Sequence, residues 1–192
     1  MLRNLLFTLA FGLASTLAGA QAQSPDQLVR TTTDEVLAII KSDKDLQPGN
    51  TRKIAELAEA KVLPHFDFTR MTRLAVGRSW QQATDAQKEA LTKEFRTLLV
   101  RTYSTSLSQY RDQKIEYKRV RAAPGDTDLT VKSEVRNGAE RTSIDYEMVK
   151  TPAGWLVYDV KIDGVSLVTV YRESFAAKVR SEVAAGVKAL AA

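Results

Sequence analysis

His65 is the only histidine in this chain of 192 residues, and with the strand carboxylates Asp145 and Asp159 it makes up the small set of side chains suited to acid–base work. Such work needs a titrating group within hydrogen-bond reach of a substrate proton, usually oriented by a second group. His65 follows Pro64 at a predicted helix end, and nothing in its surroundings supplies an obvious partner. Asp145 and Asp159 alternate with apolar residues, which predicts that both point to solvent, the ordinary state of an aspartate. No G-x-S-x-G, no Gly-rich phosphate loop and no His/Glu pair at metal-ligand spacing is present. With no cysteine and one histidine, a zinc site has few candidate ligands. No catalytic residue, metal or cofactor is therefore expected.

A second set is defined by bulk. Phe66, Phe68, Met71, Phe95, Tyr103, Tyr146, Met148, Tyr158 and Tyr171 are large and fall on faces that the local periodicity turns inward. Taken singly, each reads as core, because large apolar residues are usually buried. As a set they also read as the lining of a chamber, since tyrosine is apolar in body and hydrogen-bonding at its tip. Periodicity says which side faces in. It does not separate a filled interior from a hollow one.

The elements that carry these residues are legible. Apolar positions Val29, Val36, Leu37 and Ile40 predict a helix from Pro25 to Ile40, interrupted at Pro48-Gly49-Asn50. Asn50 can cap a second helix bearing Ile54, Leu57, Ala58 and Leu63, which Pro64 ends. Asp67 can cap a short third helix that Gly77 stops. Thr84-x-x-Gln87 is a capping box, and Leu91, Phe95, Leu98, Leu99, Thr102, Leu107 and Tyr110 then continue a long fourth helix. From Gln113 to Asp163 the period becomes two. Leu129, Val131, Ser133 and Val135 share a face, Asn137-Gly138 supplies a type I′ turn, and Ile144, Tyr146 and Met148 share the next. Leu156, Tyr158, Val160 and Ile162 are expected on one face of the following strand, with Trp155 and Val157 on the other. Val168, Tyr171, Phe175, Val179 and Val183 mark a last helix that weakens near Gly186. Segregated helices and strands predict an α+β fold, with helices covering an antiparallel sheet of about four to five strands. Residues Pro25 to Gly77 would form an N-terminal helical lobe.

Residues 1–22 read as a cleaved signal peptide rather than part of the fold. Arg3 gives a positive start, Leu5 to Leu17 is mostly apolar, and Ala20-Gln21-Ala22 offers an A-x-A cleavage site. The apolar run is shorter than the roughly 20 residues a spanning helix needs. Residues 23–192 are then expected to be one exported, soluble domain, large enough to bury a core without disulfides. The formal charge of +5 includes Arg3 and is spread among acids, with no basic run of the kind that tracks phosphates, so nucleic acid is not an expected partner.

The segments Phe66-Asp67-Phe68…Met71, Gly77-x-x-Trp80, Phe95-x-x-Leu98-Leu99-x-x-x-Tyr103 and Gly164-Val165-Ser166-Leu167-Val168…Tyr171-Arg172…Phe175 occur in the order seen in one family. The chain resembles the MlaC, or toluene-tolerance (Ttg2), family of periplasmic phospholipid carriers across nearly all of residues 23–192. The resemblance implies an NTF2-like, cone-shaped sheet under helices and a monomer that binds lipid without chemistry. Its cargo would be phospholipid. Its partners would be an outer-membrane lipoprotein–porin complex and an inner-membrane ABC transporter of the Mla type, with outer-membrane lipid asymmetry as the result. Lipid tails would lie between Leu98, Leu99 and Tyr103 on one wall and Tyr146, Met148, Tyr158 and Val160 on the other. Phe68, Met71, Leu167, Val168 and Tyr171 would line the entrance or the far end, and Arg70, Arg73 and Arg78 would offer transient docking contacts. The alternative is an NTF2-like enzyme acting on an apolar small molecule, with His65, Asp145 or Asp159 as base.

Overall fold

The computed structural model describes residues 23–46, 50–108, 113–120, 123 and 125–190, with side chains described as far as residue 178. The leader at 1–22, the Pro48-Gly49 break and Tyr110 lie outside the described residues.

Four helices precede the sheet: α1 (Pro25–Ser42), α2 (Thr51–Lys61), α3 (Phe68–Val76) and α4 (Asp85–Ser108). Their starts are chemically marked. The Asn50 side chain accepts from the Lys53 N–H at 3.2 Å, and Asp67 accepts from the Arg70 N–H at 2.8 Å. At α4 the capping box closes in both directions, Thr84 N–H to Gln87 Oε1 at 2.9 Å and Gln87 N–H to Thr84 Oγ1 at 3.3 Å. Gly77 ends α3 and opens 3₁₀ turns through Gln82 that bury Trp80.

The sheet has five strands in the order β1 (Lys114–Tyr117), β2 (Asp128–Asn137), β3 (Glu140–Thr151), β4 (Gly154–Ile162) and β5 (Val165–Ser166), every neighbouring pair antiparallel. The β2–β3 turn falls one residue later than the Asn137-Gly138 expectation. Asn137 pairs with Glu140, so the loop is Gly138-Ala139. Only Gly138 takes a positive φ there (61°), which fits a type II′ rather than a type I′ hairpin. The I′ pattern appears instead between β4 and β5, where Asp163 and Gly164 both have positive φ (49° and 81°). Helix α5 (Leu167–Leu190) follows and runs through Gly186 instead of weakening there.

Strand β4 departs from simple alternation. Glu147 pairs with Asp159 but Met148 pairs with Val157, so Tyr158 is an extra residue in a β-bulge. The bulge turns Trp155 and Val157 to the same inward face as Val160 and Ile162, and sends Tyr158 to the opposite face. The expectation that Tyr158 faced inward, with Trp155 and Val157 outside, is therefore corrected. Beside the bulge, the chain between α2 and α3 docks on the free edge of β4. Phe66 makes an isolated parallel bridge to Val157, and the Asp67 N–H donates to the Val157 carbonyl at 2.8 Å.

Three apolar clusters hold the layers together. Val29 packs with Val131, Met148, Trp155, Val157 and Val160, joining α1 to the sheet. Val36, Leu37, Ile40, Leu46 and Ile54 join α1 to α2. Met71, Ala75, Phe95, Leu99 and Val168 join α3, α4 and α5.

Candidate functional site: an apolar cavity between helices and sheet

Between the helices and the inner face of the sheet lies a cavity of about 610 Å³. Inward-facing residues of neighbouring strands stack in register to form its floor. Val131 lies opposite Tyr146, Val135 opposite Thr142, and Tyr146 opposite Val160. Ile144, Tyr146, Met148, Val157, Val160 and Ile162 belong to that wall. The roof comes from Leu28, Val29, Val36 and Leu37 of α1 and from Leu99, Tyr103 and Leu107 of α4, with Phe68, Met71 and Leu167 closing one end. A volume of this size falls within the usual range for small-molecule sites.

Eight of the expected residues are on the wall: Phe68, Met71, Leu99, Tyr103, Tyr146, Met148, Val160 and Leu167. Four are elsewhere. Leu98, Val168 and Tyr171 are absorbed by the α3–α4–α5 seam, where Tyr171 packs edge-on to Phe95 with ring centroids 5.1 Å apart. Phe175 makes a similar contact with Phe95 at 5.5 Å. Interlocking rings pack that space. Tyr158 is on the far face because of the bulge.

Tyr158 has a different task there. Its hydroxyl donates to Asp128 Oδ1 at 2.5 Å, and the Arg70 guanidinium carbon sits 3.6 Å from its ring centroid. Arg70 also donates to Asp128 Oδ2 at 3.1 Å. The three side chains tie α3 to β2 and β4, so Arg70 is not the free docking cation that the sequence suggested. Arg73 and Arg78 are exposed. Burial, then the Asp128 carboxylate, pushes the Tyr158 hydroxyl up to about 12.

The acid–base candidates separate equally clearly. Asp159 is buried at 7% exposure, contrary to the expectation of a solvated carboxylate. Its Oδ1 accepts from the Val160 and Val168 N–H groups at 2.9 and 3.1 Å, and its Oδ2 accepts from Ser166 Oγ at 2.6 Å. Ser166 Oγ in turn accepts from the Thr169 N–H at 3.0 Å. This is a helix cap with a carboxylate set against the positive end of α5. Asp145 is paired on the outer face with Lys132 at 3.0 Å. His65 is on the cavity wall, and among the described residues its side chain makes no hydrogen bond or ion pair that would orient it.

Two tyrosines, Tyr103 and Tyr146, are among the polar residues of the cavity wall. Burial pushes the Tyr146 hydroxyl up to about 12, eased by the neighbouring Ser133 hydroxyl. Tyr103 is also raised, by burial and by its neighbour Tyr171. Neutral phenols are what a chamber for uncharged chains requires. Among the described residues no group of His, Cys, Asp or Glu side chains could hold a metal ion. Sequence reasoning missed the α1 wall and the inward turn of Val157. The first had a signal, the helical row Val29, Val36, Leu37. The second had only the three-residue spacing of Val157 and Val160, which a bulge would make one face.

The fold and site define an α+β protein with a predominantly apolar cavity between sheet and helices, open to one side. The sequence matches the family model described as "MlaC protein" over residues 30–192, and the chain belongs to that family. It is 25% identical over 176 residues to the toluene tolerance protein ttg2D of Pseudomonas putida, covering 91% of this chain and 80% of that one. It is also similar to a phospholipid-binding protein from Ralstonia solanacearum whose structure was solved in complex with a phospholipid. That match has 42% identity and a TM-score of 0.77, and it covers 85% of this chain and 89% of the other.

Proposed function

We propose that the protein is a periplasmic phospholipid carrier that encloses acyl tails in this cavity. It would shuttle lipid between outer-membrane and inner-membrane complexes of the Mla type and so maintain outer-membrane lipid asymmetry. The observation that carries the reading is the apolar chamber of about 610 Å³. The family, and the phospholipid held by the Ralstonia relative, support the choice of cargo. Each methylene removed from water is worth about 0.8 kcal/mol, so two sixteen-carbon tails represent roughly 20–25 kcal/mol. Passing through water at that cost is prohibitive, whereas passing from a bilayer into an equally apolar chamber is nearly neutral. The carrier itself needs no nucleotide or metal for that exchange.

Native mass spectrometry of the purified protein, with organic extraction, is expected to find diacyl phospholipid bound. Empty protein from several expression hosts would overturn the proposal. Docking is expected to be weak and salt-sensitive, because a tight complex would trap the shuttle. Exposed Arg73 and Arg78 are candidate contacts, so Arg73→Glu should slow exchange with partner complexes without releasing bound lipid. Equal exchange rates at low and high salt would remove that part.

The place of His65 on the wall favours one competing reading, an enzyme using it as base on an apolar small molecule. A base normally needs an orienting group, and none is present among the described residues. A His65→Ala variant should therefore carry lipid as the parent does.

A further inference from the structure

The exposed polar residues of the cavity wall, Ser106, Asn137 and Glu140, are gathered at one end, whereas Thr32, Thr33, His65 and Ser104 lie along the helical side. Gln113 immediately precedes β1, Asn137 ends β2, Glu140 and Thr142 begin β3, and Ser106 lies in the last turn of α4. Antiparallel pairing sets Asn137 opposite Glu140, with Val135 opposite both Thr142 and Ile115, so these positions meet at the β2–β3 hairpin. Phe68, Met71, Met148 and Leu167 belong to the apolar remainder. A chamber graded in this way orients an amphiphile, since a polar headgroup is costly to bury without partners.

Glu140 is exposed at that polar end and is the only acidic side chain among the described wall residues, which include no lysine or arginine. The basic residues of the same hairpin are occupied on the outer face. Arg136 pairs with Glu134 at 2.7 Å and Glu116 at 2.9 Å, while Arg141 lies 3.8 Å from Glu134. The Glu140 side chain has no hydrogen bond or ion pair among the described residues. An exposed carboxylate with no cation paired to it among the described residues attracts a cation and repels a net anion.

We infer that Glu140 is a specificity-determining residue, favouring phospholipids whose headgroup ends in a protonated amine over those with an uncharged polyol headgroup. The inference rests on the carrier reading and adds a headgroup preference to it. At an exposed rim such a contact is worth a factor of roughly three to ten in relative affinity. The test loads the purified protein and its Glu140→Gln and Glu140→Lys variants from vesicles containing equal phosphatidylethanolamine and phosphatidylglycerol with identical tails. Extracted lipid is then quantified by mass spectrometry. The parent should enrich the ethanolamine lipid several-fold, Glu140→Gln should approach equality, and Glu140→Lys should reverse the preference, all at the same total occupancy. One headgroup ratio shared by all three filled proteins would overturn the role of Glu140 and leave the carrier reading intact. No lipid on any of them would overturn both.

Discussion

The space between α1, α4 and the sheet and the seam of α3, α4 and α5 are built from the same kinds of residue, yet one is hollow and the other solid. In the seam, Phe95 meets Tyr171 and Phe175 edge-on, and Met71, Ala75 and Val168 close the gaps. Across the cavity, Ile144, Tyr146 and Val160 line the sheet wall and Leu99, Tyr103 and Leu107 the α4 wall, while Val29 of α1 reaches the sheet at Met148, Val157 and Val160. Helices that meet side by side can interdigitate aromatic rings. On the sheet side, the chain at Phe66-Asp67 and the Arg70–Asp128–Tyr158 clasp fasten α3 to the strands, and room remains between the sheet and the helices. Apolar composition thus makes a core only where the scaffold lets the walls approach.

The largest expected effect breaks this contrast directly. Phe95→Ala should cost about 3–5 kcal/mol in urea unfolding, since it opens a void in a packed seam. Ile144→Ala should cost below about 2 kcal/mol, under the usual range for a buried isoleucine, because that side chain already faces empty space. Equal losses would mean that the two regions do not differ in packing. Next in size is the α5 cap. Asp159→Ala leaves the Val168 N–H and the Ser166 hydroxyl without their acceptor, and should lower stability by about 2–3 kcal/mol. A loss within error of zero would show that water replaces the carboxylate.

A pH dependence sharpens the comparison further. Tyr146 at the cavity and Tyr158 at the clasp are both pushed up to about 12 from an ordinary 10.0. A folded-state value above the unfolded one gives stability that is intact below about pH 10 and lost as pH rises toward about 12. Ultraviolet titration should therefore find late-ionising tyrosines, and Tyr146→Phe should flatten the alkaline fall in stability. The smallest effect belongs to the clasp. Arg70 and Asp128 are partly exposed, so Arg70→Ala should cost no more than about 1 kcal/mol. A much greater loss would make the clasp a principal support of the cavity.

Much of this architecture was legible in the sequence because it is local. Asn50, Asp67 and the Thr84–Gln87 box mark helix starts through contacts within three residues. The inner face of β3 followed from alternation alone. What escaped depends on distant partners. The bulge at Tyr158 lies where β4 bonds both β3 and the Phe66-Asp67 edge, and within Trp155–Ile162 only the spacing of Val157 and Val160 hints at it. Asp159 looked solvated because its partners Ser166 and Val168 lie seven and nine residues further on, beyond a turn. The division of the apolar residues into wall and seam was equally hidden, since Leu98 belongs to the seam alone while its neighbour Leu99 serves both seam and wall.

The central claim is that the hollow region is shaped for lipid tails, and plugging it tests this most directly. Ile144→Trp places a large ring into existing space, so its urea midpoint should stay close to the parent's. Native mass spectrometry of the two proteins purified side by side should find phospholipid on the parent and much less on the variant. Full lipid occupancy in a folded Ile144→Trp protein would contradict the assignment of this cavity as the tail-binding chamber.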